Sequence, residues 1–130
     1  MIGLVDREGA AGVAKEMLPK LVCDETRQNR PEVVDRVRNL ILAASPKAIK
    51  GALYRMMARP DSGAQLTEIR WPTLIVVGGR DVLTPPSLSH DMQTHIAGAT
   101  LETIPAAGHM SNLEQPGAFD AALIRFVDRL

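Results

Sequence analysis

Thr73-Leu74-Ile75-Val76-Val77 is an unbroken, β-rich apolar run closed by Pro72 on one side and Gly78 on the other. A strand with one wet face alternates apolar and polar residues. This one does not, so both of its faces need cover, which is the mark of a parallel strand buried between helices. The pattern commits the chain to an α/β arrangement. Pro85-Pro86 next opens a helix whose stripe is Leu88, Met92 and Ile96, ended by Gly98. Thr100-Leu101-Glu102-Thr103-Ile104 is a second strand, half-alternating and therefore nearer a sheet edge. A loop is predicted from Pro105 to Gln115. Pro116 then starts a last helix with Phe119, Leu123, Phe126, Val127 and Leu130 on one face. Strand, helix, strand, helix in this order is a right-handed parallel unit.

The residues before this unit read as helical. Ile2 and Val5 begin a stripe interrupted at Gly9, and Ala10 to Leu18 form a second short helix stopped by Pro19. Lys20 to Arg30 is polar and aperiodic, which predicts a loop. Pro31 occupies a first helical position, and Val33, Val34, Val37, Leu40, Ile41 and Ala44 recur at helical spacing. Ser45 can cap the next helix, with Pro46 in its first turn and Ile49, Leu53, Met56 and Met57 as its stripe. Ala58 to Gly63 is a cluster of chain breakers. Two segments follow from this: a helical one over residues 1–60 and a β-α-β-α one over residues 61–130.

A length of 130 residues with 45% apolar and 23% charged side chains describes an ordinary globular chain. Fifteen basic and fifteen acidic residues cancel, so no electrostatic footprint for nucleic acid or an anionic membrane exists. No apolar run approaches the ~18 residues of a transmembrane helix. Asp6, Arg7 and Glu8 come too early for a signal peptide, and the single Cys23 permits no internal disulfide, so a reducing cytoplasm is the expected location.

Two side chains carry chemistry. Asp81 follows the first strand and a Gly78-Gly79 turn, and His109 follows the second strand beside Gly108. Functional groups in an open parallel sheet collect at the carboxyl ends of its strands, so neighbouring strands deliver this pair to one rim. There the carboxylate can accept an imidazole N–H and fix the tautomer, as the acid and base of a nucleophilic triad do. Taken singly, a turn aspartate or a loop histidine bonded to backbone is the commoner case. Taken together, after consecutive strands, they read as a pair.

The stretches Trp71 to Asp81, Thr84-Pro85-Pro86, Ile104 to His109 and Leu113-Glu114-Gln115-Pro116 resemble the C-terminal end of the α/β-hydrolase superfamily. The match is nearest its esterase and 3-oxoadipate enol-lactonase-like branch. Glu16 to Leu21 and Met57 to Ser62 resemble the helical cap of that branch. The resemblance implies a partial α/β-hydrolase fold: a cap-like subdomain, then a β-α-β-α unit with two parallel strands. It implies Asp81 as triad acid, His109 as triad base, and Met56 and Met57 in a cap lining that faces substrate. Core packing explains those methionines, and Met17, equally well.

One component is missing from the sequence. No Gly-x-Ser-x-Gly occurs, and Ser45, Ser62, Ser87, Ser89 and Ser111 lack the strand–turn–helix setting a nucleophilic serine needs. The resemblance places that elbow and the oxyanion loop N-terminal to the cap, so the chain alone is expected to be inactive on the esters or lactones the family hydrolyses. The sequence calls for no cofactor and no metal; His90 and His95, five apart on a helix, do not share a face. Cys23 near Lys20 and Arg27 is a packed or surface cysteine before it is a reactive one. A sheet of two strands is marginal by itself, so the open edge of Thr73–Val77 calls for a partner. The candidates are an N-terminal half bearing the nucleophile, or a second copy pairing antiparallel across a two-fold axis as a non-catalytic homodimer.

Overall fold

The computed structural model describes all residues, Met1–Leu130. Four helices come first: α1 (Ile2–Leu21), α2 (Asp24–Asn29), α3 (Pro31–Leu42) and α4 (Pro46–Met57). A 3-10 turn at Gly63–Glu68 leads into β1 (Leu74–Gly78), α5 (Pro86–His95), β2 (Thr100–Ile104), α6 (Ser111–Glu114) and α7 (Pro116–Val127). No helix is long and apolar enough to cross a membrane.

The strands pair in parallel, with Leu74 opposite Thr100 and Gly78 opposite Ile104. Ile75 and Val77 are buried and Leu74 and Val76 half-buried, so β1 has cover on both faces as its sequence requires. β2 buries only Ile104 fully, in keeping with its mixed pattern. Both α5 and α7 pack on the sheet. On the α7 side, Ala122 meets Ile104, Ala107 and Val76 in a small apolar cluster.

The helical segment has its own core of Ala14, Leu18, Val22 and Val37. Met110 and Leu113, from the other segment, pack against that core, so the two segments share it. Ser45 caps α4 by accepting the Ala48 N–H, and Pro31, Pro46, Pro86 and Pro116 all sit in first turns.

Local pattern and structure part company in three places. α1 breaks at Gly9, as its interrupted stripe predicts, with a non-helical φ of 60° and ψ of −153° that glycine allows, but its second piece continues through Pro19 to Leu21. Burial of Leu18 and Val22 on either side of Pro19 holds that last turn despite the lost amide. Part of the loop predicted over Lys20–Arg30 is helix α2. Asp24 and Glu25 in its first turn suit the helix dipole, and Thr26 is buried. Within the loop predicted over Pro105–Gln115, Ser111–Glu114 turns as α6. The apolar stripes are also less covered than their spacing suggests: Leu40, Leu88, Leu123 and Val127 are exposed.

Gly78 is set by close approach. A Cβ on Gly78 would lie 2.0 Å from the Gly108 carbonyl oxygen and 2.5 Å from that of Ala107. Backbone bonds then stitch the turn after β1 to the loop after β2: Gly79 N–H to Ile104 O at 2.9 Å, and Arg80 N–H to Ala107 O at 2.8 Å. Gly78→Ala is expected to destabilise the chain by about 3 kcal/mol in urea unfolding, as overpacking against rigid backbone does. Gly51→Ala, inside α4 with open space around it, is expected to stabilise by up to about 1 kcal/mol in the same measurement.

Candidate active site

The stitched rim brings Asp81 and His109 together. Asp81 leaves the turn after β1 with its N–H on the Gly78 carbonyl, 3.1 Å away. Its side chain is almost wholly buried, 4% exposed, and its Oδ2 lies 2.9 Å from His109 Nδ1. The imidazole is 38% exposed, so one edge is held while the rest faces outward.

Asp81 is also gripped locally. Its Oδ1 accepts the backbone N–H groups of Leu83 at 2.8 Å and Thr84 at 3.0 Å, an Asx-type turn. Its Oδ2 accepts the Thr84 hydroxyl at 2.7 Å, and that hydroxyl oxygen lies 3.3 Å from His109 Nδ1. Burial alone would push the Asp81 carboxyl up. The hydrogen bonds from the Thr84 N–H, His109, the Thr84 hydroxyl and the Leu83 N–H outweigh it and hold the group below its ordinary 3.8. With an ionised acceptor on Nδ1, the neutral ring carries its proton there and leaves the Nε2 lone pair free.

The loop bearing His109 is fixed from the opposite side. Glu114 is completely buried; one carboxyl oxygen accepts the Gly108 N–H at 2.7 Å and the other the Cys23 N–H at 2.8 Å. The Met110 N–H bonds the Leu21 carbonyl at 3.0 Å. Ala106, in the same loop, sits at a φ of 51°, and its carbonyl accepts the Gln115 amide at 3.2 Å.

The other sequence candidates fall elsewhere. Met56 is exposed but lines an apolar groove of about 450 Å³ with Val13, Met17, Ile41, Ile49 and Leu53; neither Asp81 nor His109 is in that lining. Met57 projects into solvent, 74% exposed, and does not line the groove. Cys23 is buried, its Sγ 3.3 Å from Thr26 Oγ1 and 3.4 Å from the Ala106 carbonyl. A cavity of about 330 Å³ beside it is lined by Asp24, Glu25, Arg80 and Val82, the last two flanking Asp81 in sequence. His90 and His95 are exposed, and His95 Nδ1 lies 2.7 Å from the Asp91 carbonyl. No group of three His, Cys, Asp or Glu side chains is placed to hold a metal ion.

Sequence reasoning did not assign Thr84 or Glu114. Thr84 carries a faint signal, since a residue three after a turn aspartate can return a hydroxyl and an N–H to it. Glu114 carries none: its donors are six and ninety-one positions away.

Known proteins share this fold. Superposed on a thermophilic esterase from Thermogutta terrifontis, the chain gives a TM-score of 0.94 at 36% identity, over 98% of this chain and 47% of that one. The chain belongs to the α/β-hydrolase superfamily. Within it, 3-oxoadipate enol-lactonase 2 of Acinetobacter baylyi is 28% identical over 120 residues, 92% of this chain and 44% of the relative. A pimeloyl-[acyl-carrier protein] methyl ester esterase of Neisseria meningitidis is 32% identical over 90 residues, 69% of this chain and 35% of the relative. This α/β-hydrolase chain thus spans less than half the length of each. No family model matches it. Its fold is a partial α/β-hydrolase fold, helices followed by two parallel strands.

The lowered Asp81 fixes the sign of a pH effect. A carboxyl whose folded value lies below its unfolded one stabilises the fold above the unfolded value and loses that contribution as pH falls through the folded value. The stability advantage of the wild type over Asp81→Asn is therefore expected to be level above about pH 5 and to shrink below about pH 4. Urea unfolding of both proteins across that range checks it.

Proposed function

We propose that Asp81 and His109 are the acid and base of a serine-hydrolase triad acting on a carboxylic ester or lactone, with the nucleophile supplied from outside these residues. The observation that carries this is the 2.9 Å contact between a buried, multiply bonded carboxyl and a half-exposed imidazole. The similar proteins, an enol-lactonase and two esterases, support the substrate class.

The chemistry runs through Nε2. A serine hydroxyl delivered there gives up its proton as its oxygen bonds the acyl carbon, and the carbonyl becomes an oxyanion. Collapse breaks the ester C–O bond, and the proton on Nε2 passes to the departing oxygen. Water then repeats the steps and releases the acid. Asp81 stays ionised throughout, holding the ring's tautomer and offsetting its charge. No cofactor or metal enters this scheme. Met56, from its apolar groove, and Met57, one residue further along α4, are proposed to contact the apolar part of the substrate. A reducing, cytoplasmic setting suits the free, buried Cys23.

The nucleophile and oxyanion donors are assigned to an N-terminal half, since the chain contains no Gly-x-Ser-x-Gly and covers under half of its relatives. The chain alone is expected to leave a p-nitrophenyl ester unhydrolysed. Adding an N-terminal half with a nucleophilic serine is expected to restore turnover, and His109→Ala to remove about 10³-fold or more of it. Hydrolysis by the purified chain alone, lost in His109→Ala, would overturn the need for that half.

A second reading rests on the sheet. Its order is β1–β2 only, and Leu123, Ile124 and Val127 on α7 are exposed. The free edge of β1 would then pair with its copy, antiparallel across a two-fold axis, in a non-catalytic homodimer. Light scattering at micromolar concentration is expected to report a dimer in that case, and a folded monomer would rule it out.

A further inference from the structure

We infer that Glu114 is a positioning residue for His109, one that ties placement of the imidazole to docking of the helical segment. His109 is suspended between two anchored neighbours. Gly108, immediately before it, gives its N–H to one Glu114 carboxyl oxygen at 2.7 Å, while the other oxygen takes the Cys23 N–H at 2.8 Å. Met110, immediately after it, gives its N–H to the Leu21 carbonyl at 3.0 Å. Both ties thus end on the junction between α1 and α2, at Leu21 and Cys23. The backbone of His109 is held to the helical segment, and its side chain reaches the other way, to Asp81.

The clasp leaves no slack. Glu114 is 0% exposed, so water cannot replace either donor. Its own N–H bonds the Met110 carbonyl at 2.9 Å, and its carbonyl accepts the Arg30 guanidinium. A Cβ on Gly108 would lie 2.9 Å from the Cys23 nitrogen and 3.1 Å from Glu114 Oε1, so only glycine admits the carboxyl this close. A carboxyl is the one side-chain group of this size with two acceptors and no obligatory donor. Glutamine keeps the shape but turns an NH₂ toward one of the two N–H groups, and that bond is lost. Displacing the α1–α2 junction would therefore move the residues on both sides of His109 at once, whereas Asp81, held by Leu83 and Thr84, would stay.

Proton NMR of the chain tests this without any activity. The Nδ1–H resonance of His109, shifted downfield by Asp81, is expected to disappear or broaden in Glu114→Gln. It is expected to persist in Val37→Ala, which weakens the same helical core without touching the clasp. Retention in Glu114→Gln, or equal loss in both variants, would overturn the inference. Should Glu114→Gln fail to fold, amide exchange in the wild type decides. The Cys23 and Gly108 amides are expected to exchange together and at least about 100-fold more slowly than that of exposed Asn112; rapid or unlinked exchange would overturn it. An effect of Glu114 on turnover rests on His109 being the base, but the resonance and the exchange rates do not. The failure of either idea is thus visible apart from the other.

Discussion

The structure turns on a buried carboxyl. Glu114 is the largest wholly buried side chain in the molecule, in a chain whose apolar clusters are small. Leaving such a group unpaired in the interior costs several kcal/mol. Here the Gly108 and Cys23 amides satisfy it, and they come from the two segments that must meet. Burying the group requires both segments to be in place, and placing the segments gives the group its donors. Hydrogen bonds of this kind add modest net stability when made and impose a large penalty when missed. The clasp therefore acts mainly on geometry, excluding arrangements in which the helices sit elsewhere.

The Asp81–His109 pair is downstream of that constraint. Its acid half is local, built by a turn in which Leu83 and Thr84 return their N–H groups to the carboxyl. Its base half is assembled from three directions: the Gly78 contact beneath the loop, the Glu114 clasp beside it, and the Leu21–Met110 bond beyond it. The Asp81 carboxyl is buried, with its charged form favoured by hydrogen bonds. The imidazole remains partly open, 38% exposed.

The strands, the prolines that open four helices and the candidate pair were legible because each signal is short-ranged. A continuous β-branched run, a proline in a first turn, and a strand–turn–Asp all act within a few residues of chain. The failures share the opposite character. The helix carried through Pro19 depends on burial of Leu18 and Val22 against α3, and α2 depends on burial of Thr26. Helical spacing named Met56 and Met57 together, yet only Met56 lines a groove, because which face of α4 meets α1 is settled by packing rather than by period.

The sequence alone determined the order of the longer helices and the strands, the parallel strand pair and the two residues at the strand ends. Each follows from propensity, period or turn chemistry along contiguous stretches. Only the tertiary structure decided that those residues touch, and that Glu114 joins Gly108, beside His109, to Cys23. Those contacts join positions far apart in the chain, and their energies arise from excluding water around groups that no local pattern marks as buried.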